Sequence, residues 1–285
     1  KQVKEHGLVS DQLEFLPEGI ESLIDYYTRE AGVRGLEREV AAICRDMTVK
    51  LVEGGSLDHV RVTPELVEEL LGPPRYSPEV VERKLAPGVA VGLSVNQAGG
   101  DLLVIEATKM PGKGQIRLTG ALRTVMQESA HTALSFARSR ADRLHLDPEF
   151  LKSIDLHLHI PRGRAAEDAA SAGVAMFVAV TSLLLGASVR EDVAVVGEIT
   201  LRGKILPVSG VKSMVLAAHR ARIQEIVLPA RNERDLDEVP EEVRHDIRVH
   251  LVSRVDEVLP IVLRPPGSAP GQERTSPGTG SEVRP

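Results

Sequence analysis

The spacing of apolar residues changes once along this chain, and the change divides it into two kinds of structure. From Glu18 to Glu53 apolar residues fall at helical spacing, with one stripe formed by Leu36, Val40, Ile43, Met47 and Leu51. Beyond the proline-containing segment PPRYSPEV, strand-like runs such as DLLVIEAT, DLHLHI, VAVVGEITL and EIVLPA alternate with helical segments, the last of which is predicted over 255–263. The sequence therefore predicts a small all-helical unit over 1–73, a linker over 74–87 and an α/β (α+β) unit over 88–263.

The residues after 263 differ in composition. The segment 264–285, RPPGSAPGQERTSPGTGSEVRP, is rich in Pro, Gly and Ser and has almost no apolar side chains. Such a segment cannot bury enough apolar surface to fold, so it predicts a disordered tail. At its other end the chain lacks an initiating Met and begins within a helical pattern, from which we expect a piece of a longer protein.

Charge and composition exclude several classes of protein. The net charge is -6 and the basic residues are spread among acidic ones, so no surface for nucleic acid is predicted. The longest apolar run, 174–185, is too short to span a bilayer, and the first residues carry no signal-peptide core. Cys44 is the single cysteine, which excludes an internal disulfide and fits a reducing compartment. We therefore expect a cytoplasmic protein with no membrane or nucleic-acid partner.

A glycine-containing segment, MPGKGQ at 110–115, invites comparison with a phosphate-binding loop. It lacks the G-x-x-x-x-G-K-[ST] spacing, and its lysine is not followed by a hydroxyl residue that opens a helix. A turn between two strands explains it better. Since no other segment offers a Walker A motif, the chain by itself is not expected to hydrolyse ATP and needs no cofactor.

Two histidines alternate with apolar residues in DLHLHI, so His157 and His159 point to the same side of one strand. They could bind a metal or act as bases. Because no third ligand lies nearby in the sequence, a polar strand face or a subunit contact is favoured, and no metal site is predicted.

The segment EDAASAGVAM at 167–176 leads from small residues into a long apolar helix. Ser171 is therefore predicted at a helix start, where exposed N–H groups and the helix dipole can stabilise an oxyanion. A plain N-cap explains many serines in such places, so the segment alone does not establish a nucleophile.

Longer stretches show that the sequence resembles the Lon family of ATP-dependent proteases. The matching segments are DYYTREAGVRGLERE at 25–39, GGDLLVIEATKMPGKGQIRLTGALRTVMQES at 99–129, SAG at 171–173, GEITLRGKILP at 197–207 and LAAHR at 216–220. The resemblance implies that 1–73 are part of the helical lid of an AAA+ ATPase module, in which Arg34 matches the nucleotide-sensing arginine. It also implies that 88–263 form a proteolytic domain that assembles as a homo-hexameric ring and cleaves unfolded polypeptide. Sites for ATP and Mg would then lie upstream of Lys1.

In that family a Ser–Lys dyad cuts the peptide bond, the lysine taking the proton of the serine hydroxyl. The family's serine segment reads Pro-Lys-Asp-Gly-Pro-Ser-Ala-Gly, so Ser171 matches the nucleophile and Asp168 the preceding acid. This chain departs from the segment at Ala166, Glu167, Ala169 and Ala170. The altered residues put the backbone conformation before Ser171 in question.

The segment that matches the family's two lysines departs further from the family's sequence than the serine segment does. Alignment on LP at 206–207 and LAAHR at 216–220 places Lys212 on the family's first lysine and Met214 on its second, which is the catalytic one. Residues two apart on a helix point about 200° away from each other, so Lys212 cannot simply replace the missing base. The family's threonine, which holds the lysine amine, is replaced by Val196.

The first hypothesis is therefore a Lon-type domain whose peptidase activity is absent or strongly reduced. Such a domain would act as a ring-forming scaffold or as a peptide-binding subunit, and it could assemble with an intact Lon paralogue. The alternative is an active serine endopeptidase in which Lys212, His157 or His159 activates Ser171. A third reading is a longer protein whose ATPase module unfolds substrates without cutting them.

Overall fold

The computed structural model describes residues 1–264 except 10, 29, 31, 55–58, 77–85, 97–98, 121, 123, 148 and 162–169. Its apolar side chains form two separate cores, one drawn from residues 3–71 and the other from residues 89–263. The predicted disordered tail, apart from Arg264, lies outside the described residues.

The first unit is mainly helical, as the sequence predicted. Its elements are α1 (Gln2–Glu5), β1 (Leu13–Phe15), α2 (Pro17–Ser22), a π-helical turn (Leu23–Tyr27), α3 (Arg34–Val52), β2 (Val60–Val62) and α4 (Pro64–Leu71). The predicted apolar stripe lies on α3 and faces the core. The structure adds one feature to the all-helical prediction: β1 and β2 pair in parallel, because the alternating VRV run extends beside residues 13–15.

The second unit is a mixed α/β domain. Its strands are β3 (Val89–Asn96), β4 (Gly99–Pro111), β5 (Ile116–Gly120), β6 (Ile154–Ile160), β7 (Val193–Val195), β8 (Glu198–Ile199), β9 (Ile205–Leu206), β10 (Glu225–Pro229) and β11 (Arg248–Val252). Its helices are α5 (Thr124–Ser139), α6 (Phe150–Ser153), α7 (Gly173–Leu185), α8 (Val211–Arg220), α9 (Glu241–Asp246) and α10 (Leu259–Val262).

The main sheet has the strand order β11-β10-β7-β3-β4-β6-β5. Its β7, β10 and β11 are parallel, whereas β3–β4 and β4–β6 pairs are antiparallel. The strands β7, β10 and β11 join the rest of the sheet where β3 pairs with β7, at Gly92 and Val195. Helices α7 and α8 both pack on β3 and β4, so these two strands lie at the centre of the domain.

Two segments differ from the sequence expectation. VAVVGEITL forms two short strands, β7 and β8, because Gly197 adopts a φ of 149° between them, which turns the chain. The predicted last helix over 255–263 is a 3₁₀ turn, Val255–Glu257, followed by the short α10. Pro260 lies in the first turn of α10, where it cannot supply an N–H to continue the preceding turn.

An ion-pair network holds the parallel strands together at one end. The Arg190 guanidinium donates to Glu225 Oε1 at 2.8 Å and to Asp192 Oδ2 at 2.6 Å. His250 Nε2 lies 2.7 Å from the other Glu225 oxygen. The hydrogen bond from Arg190 is the main cause that lowers the pKa of Glu225 to about 2. This carboxylate therefore connects the segment before β7 with β10 and β11.

Within the part of the chain that the structure describes, no helix has the length and apolar character needed to cross a membrane.

Candidate active site

Ser171 lies in a 3₁₀ turn, Ala170–Ala172, that leads directly into α7. Ser171 is only 7% exposed, and α7, which follows it, is buried over most of its length. Its hydroxyl donates a hydrogen bond to the main-chain oxygen of Leu93 on β3, at 3.0 Å. The proton of the candidate nucleophile is thus held by a backbone carbonyl, which cannot act as a base.

The backbone around Ser171 is fixed by the turn between β7 and β8. The Gly197 N–H donates to the Ser171 carbonyl at 2.9 Å, and the Gly197 carbonyl accepts from the Val174 N–H at 3.0 Å. A Cβ added at Gly173 would lie 3.0 Å from Ile199 Cγ2. The small residue after Ala172 therefore allows β8 to approach the start of α7 closely.

Helix α8, which carries the lysine-matching positions, starts against the end of the β3–β4 hairpin. Gly210 precedes it with a φ of 78°, and a Cβ there would lie 2.7 Å from Val95 Cγ2. A Cβ added at Gly100 would lie 1.9 Å from the Ser213 carbonyl oxygen. Two glycines thus permit a close approach between α8 and the β3–β4 hairpin, whose strand β3 also accepts the Ser171 hydrogen bond.

Met214 and Lys212 face different surroundings on α8. Met214 is 2% exposed and belongs to the main core together with Val211, Val215 and Ala218, whereas Lys212 is exposed to solvent. The separation of the two side chains agrees with the helical geometry expected from the sequence. Met214, which the resemblance predicts at the position of the catalytic lysine, is therefore a buried thioether, and a thioether is only a weak acceptor.

Val196 is fully buried in the same core as Met214. Its N–H donates to the Val227 carbonyl at 2.9 Å, which continues the pairing of β7 with β10. With valine and methionine at these two places, the core there needs no hydrogen-bond partner for a hydroxyl or an amine.

Other predicted residues are placed as follows. Asp168 lies outside the described residues, as do Ala166, Glu167 and Ala169 of the altered serine segment. His157 and His159 do share one face of β6, but both imidazoles hydrogen-bond Thr119 of β5 rather than Ser171.

The MPGKGQ segment is a turn between β4 and β5, as the sequence predicted, with Gly114 at a φ of 90°. Its main chain already binds a carboxylate of the protein itself. Asp155 Oδ1 accepts from the N–H groups of Lys113 and Gln115, each at 2.8 Å. The hydrogen bond from Gln115 is the main cause that holds the pKa of Asp155 below its ordinary value. These N–H groups are therefore not available for a phosphate.

Arg34 is the first residue of α3, and its side chain is exposed. Glu30 caps this helix start, since its Oε1 accepts from the Leu36 N–H at 2.9 Å. Hydrogen bonds from the N–H groups of Gly35 and Leu36 lower the pKa of this carboxylate. The cap fixes the helix start while leaving the guanidinium of Arg34 accessible to a ligand.

Sequence reasoning missed Asn232, which is 3% exposed in a 3₁₀ segment, Ala230–Glu238, that it did not predict. The Asn232 amide accepts from the Val208 N–H at 3.0 Å and donates to the Val208 carbonyl at 2.7 Å. Val208 lies just before Gly210, so Asn232 fixes the chain that leads into α8. The sequence does show an asparagine shortly after the strand-like run EIVLPA. Asparagine is common in turns, however, so its position alone does not indicate a structural role.

In the described ranges, no three His, Cys, Asp or Glu side chains lie together as ligands for a metal ion.

Comparison with known proteins identifies the family to which the chain belongs. A family model for the Lon protease (S16) C-terminal proteolytic domain matches residues 61–265, and one for the Lon protease AAA+ ATPase lid domain matches residues 4–60. The chain belongs to the Lon protease family, which confirms both the resemblance and the fold class expected from the sequence.

Relatives match along nearly the whole chain. Lon protease 2 of Sorangium cellulosum (strain So ce56) is 59% identical over 272 residues, which are 95% of this chain and 34% of the relative. Lon protease 2 of Myxococcus xanthus is 48% identical over 97% of this chain and 34% of its own length. Lon protease of Aquifex aeolicus (strain VF5) is 47% identical over 92% of this chain and 33% of its own length. The chain thus spans about a third of the length of these curated relatives.

Proposed function

We propose that this chain contains a Lon-type proteolytic domain in which peptide cleavage is absent or strongly reduced. The observation that carries the proposal is the burial of Met214, which the resemblance aligns with the family's catalytic lysine. A thioether takes no proton at neutral pH. Loss of one member of a catalytic dyad typically costs on the order of 10⁴- to 10⁶-fold in kcat.

The surroundings of Ser171 support the same conclusion. Its hydroxyl already donates to the Leu93 carbonyl, so attack on a substrate would first require this bond to break. Val196 replaces the family's threonine, and its full burial beside other aliphatic side chains matches a core that holds methionine rather than an amine. The two substitutions are compatible with each other, since valine leaves no hydroxyl in need of a partner.

The alternative function is an active serine endopeptidase with a different base. Lys212 is exposed and two positions away from Met214, so its use as the base requires a rearranged first turn of α8. His157 and His159 hydrogen-bond Thr119. Neither arrangement favours this alternative.

The proposal also assigns a role to each part of the chain. Residues 1–73 act as part of an AAA+ lid, 74–87 as a linker and 88–263 as the proteolytic domain. The last residue of the first apolar core is Leu71 and the first residue of the second core is Val89, which supports these boundaries. Arg34 senses a nucleotide, and an upstream ATPase module of a longer protein supplies the ATP and Mg sites.

A domain without peptidase activity retains the capacity to assemble and to bind peptide. We infer a homo-hexameric ring in the cytoplasm that binds unfolded polypeptide as a scaffold, alone or with an intact Lon paralogue. The fully buried core of the second unit supports this role, because assembly needs a folded domain and not the dyad.

Cleavage of a fluorogenic peptide and of unfolded casein tests the proposal, with this chain at high concentration beside its Ser171→Ala variant. We expect equal background rates for both proteins. Cleavage that disappears in Ser171→Ala would reject the proposal and establish the alternative.

A further inference from the structure

A cleft of about 650 Å³ lies between the lid and the proteolytic domain. One wall comes from the end of α2 and from the π-helical turn that follows it. The other wall comes from the end of α8, from the residues that follow this helix, and from the last residue of α9. The cleft therefore brings a surface of the lid to the helix that carries Met214.

The lid wall is acidic. Glu21 and Asp25 are exposed and stand four residues apart, with Ile24 beside Asp25, so the three side chains share one face of the helical segment. Neither carboxylate makes a hydrogen bond or an ion pair in the ranges that the structure describes. The lid thus presents two negative charges to the opposite wall.

The opposite wall is mainly basic. Arg220 and Arg222 are exposed, and Arg222 makes no hydrogen bond or ion pair within the described part of the chain. Arg220 Nη2 donates to the Gly100 carbonyl at 3.1 Å, and a guanidinium has further N–H groups that can donate elsewhere. Asp246 adds a negative charge to this wall, but its Oδ2 lies 2.9 Å from His219 Nε2. Because the two arginines outnumber this aspartate, the wall is net positive.

Charge complementarity indicates what the basic wall binds. The acidic segment of the lid faces it across the cleft and belongs to the same chain, so the two walls meet at a high effective concentration. Exposed ion pairs are individually weak and are screened beyond about 8 Å at physiological salt, so a contact of this kind needs more than one pair. Ile24 is 40% exposed, and closure of the cleft would also cover part of this apolar side chain.

We propose that Arg220 and Arg222 form a docking surface for Glu21 and Asp25 of the same chain's lid, and that the cleft closes when these side chains pair. Closure is reversible, because each ion pair is exposed and weak. The contact does not depend on peptidase activity, since none of its residues touches Ser171.

Docking of the lid has a route to the core of the proteolytic domain. Arg220 is the last residue of α8, and its bond to Gly100 ties this helix end to the β3–β4 hairpin. The same hairpin is in close contact with the start of α8, at Val95 and at Gly100. A lid that pairs with Arg220 is therefore connected to both ends of the helix.

Cross-linking between the two walls tests the proposal in the full chain. Ile24→Cys and Gln224→Cys place one thiol on each wall without changing any charge, and the natural Cys44 is buried. A short bismaleimide should join the two thiols within one chain, which shifts the band in denaturing electrophoresis. We expect the rate of this cross-link to fall several-fold at high salt, because salt screens the ion pairs.

Charge exchange gives the sharper test. In the cross-linking background, Glu21→Lys with Asp25→Lys should slow the reaction several-fold, because both walls are then positive. Addition of Arg220→Glu and Arg222→Glu should restore the rate, since the attraction is then present with its signs exchanged. Circular dichroism verifies that each variant is folded.

The matched control is Asp46→Lys with Glu53→Lys, which makes the same change of net charge at exposed positions of the lid outside the cleft. This control should leave the cross-linking rate unchanged. A rate that depends neither on salt nor on the charges of the two walls would overturn the proposal. A cross-link that forms between chains instead of within one would also overturn it, because the basic surface would then bind the lid of a neighbouring copy.

Discussion

Asn232 binds both main-chain polar groups of Val208, accepting from its N–H at 3.0 Å and donating to its carbonyl at 2.7 Å. The amide side chain therefore acts as a short piece of β-strand beside the segment that leads into α8. This pairing holds the chain two residues before Gly210, after which α8 begins at Val211.

Asn232→Ala should destabilise the chain, because it leaves the Val208 groups without these partners. We expect a loss of about 2 kcal/mol or more in the free energy of unfolding, measured by urea denaturation. Glu233→Ala, a change at the exposed neighbour in the same turn, is the control and should stay within about 0.5 kcal/mol. Equal effects of the two variants would show that the amide pairing contributes little.

Met214→Lys combined with Val196→Thr should restore measurable peptide cleavage, since it returns a base and the hydroxyl that holds it. Met214→Lys alone buries an ammonium among aliphatic side chains and should cost several kcal/mol of stability, on the scale of an unpaired buried charge. The measurement is fluorogenic-peptide cleavage, with Ser171→Ala added to the double variant as the control.

A folded double variant without cleavage would show that the missing base is not the only defect. The residues that precede Ser171, Ala166 to Ala170, would then be the next to exchange for the family's sequence.

Gly100→Ala should destabilise the contact between β4 and α8. The added methyl would lie 1.9 Å from the Ser213 carbonyl oxygen, which belongs to a helix backbone that cannot rotate away. Overpacking of this kind costs about 1–3 kcal/mol, read as a lower melting temperature. Gly32→Ala is the matched control, because a Cβ there meets no atom within 4 Å and its φ is not positive. A melting temperature unchanged by Gly100→Ala would contradict the close approach.

Glu225 should make the stability of the chain depend on acid. Its pKa is lowered from 4.5 to about 2 in the folded state, so its contribution is complete above about pH 4.5 and is lost as the pH falls toward 2. The shift corresponds to a contribution on the order of 3 kcal/mol. Glu225→Gln should therefore lower stability at neutral pH and flatten its decline between these pH values.

Urea denaturation at a series of pH values measures this effect. Asp237→Asn is the control, since Asp237 is largely exposed and lies 3.8 Å from Arg244, and surface pairs of this kind contribute little. A Glu225→Gln variant with the same acid profile as the unaltered protein would contradict the assignment.

The fold was largely predictable because its periodicities are strong. The stripe on α3 and the strand runs of the sheet are local patterns, and the structure places them as expected. Strand order was not predictable, since the pairing of Gly92 with Val195 joins segments far apart in the chain. The turn that separates β7 from β8 was missed for a similar reason, because the hydrogen bonds of Gly197 are made to Ser171 and Val174.

For the site, the sequence supplied the identities of Ser171, Met214 and Val196, and the structure supplied their surroundings. The bond from Ser171 to Leu93 and the support of α8 by Asn232 depend on tertiary contacts that no motif encodes.

The position of β7 in the sheet has a consequence for synthesis of the chain. Strand β3 can pair with β4 once the hairpin has been synthesised. The other edge of β3 pairs with residues 193–195, which are synthesised about a hundred residues later. Pairings between such distant segments form slowly. During translation the half-finished sheet therefore carries an open, aliphatic edge at β3, which is the kind of edge that chaperones cover and that aggregation exploits.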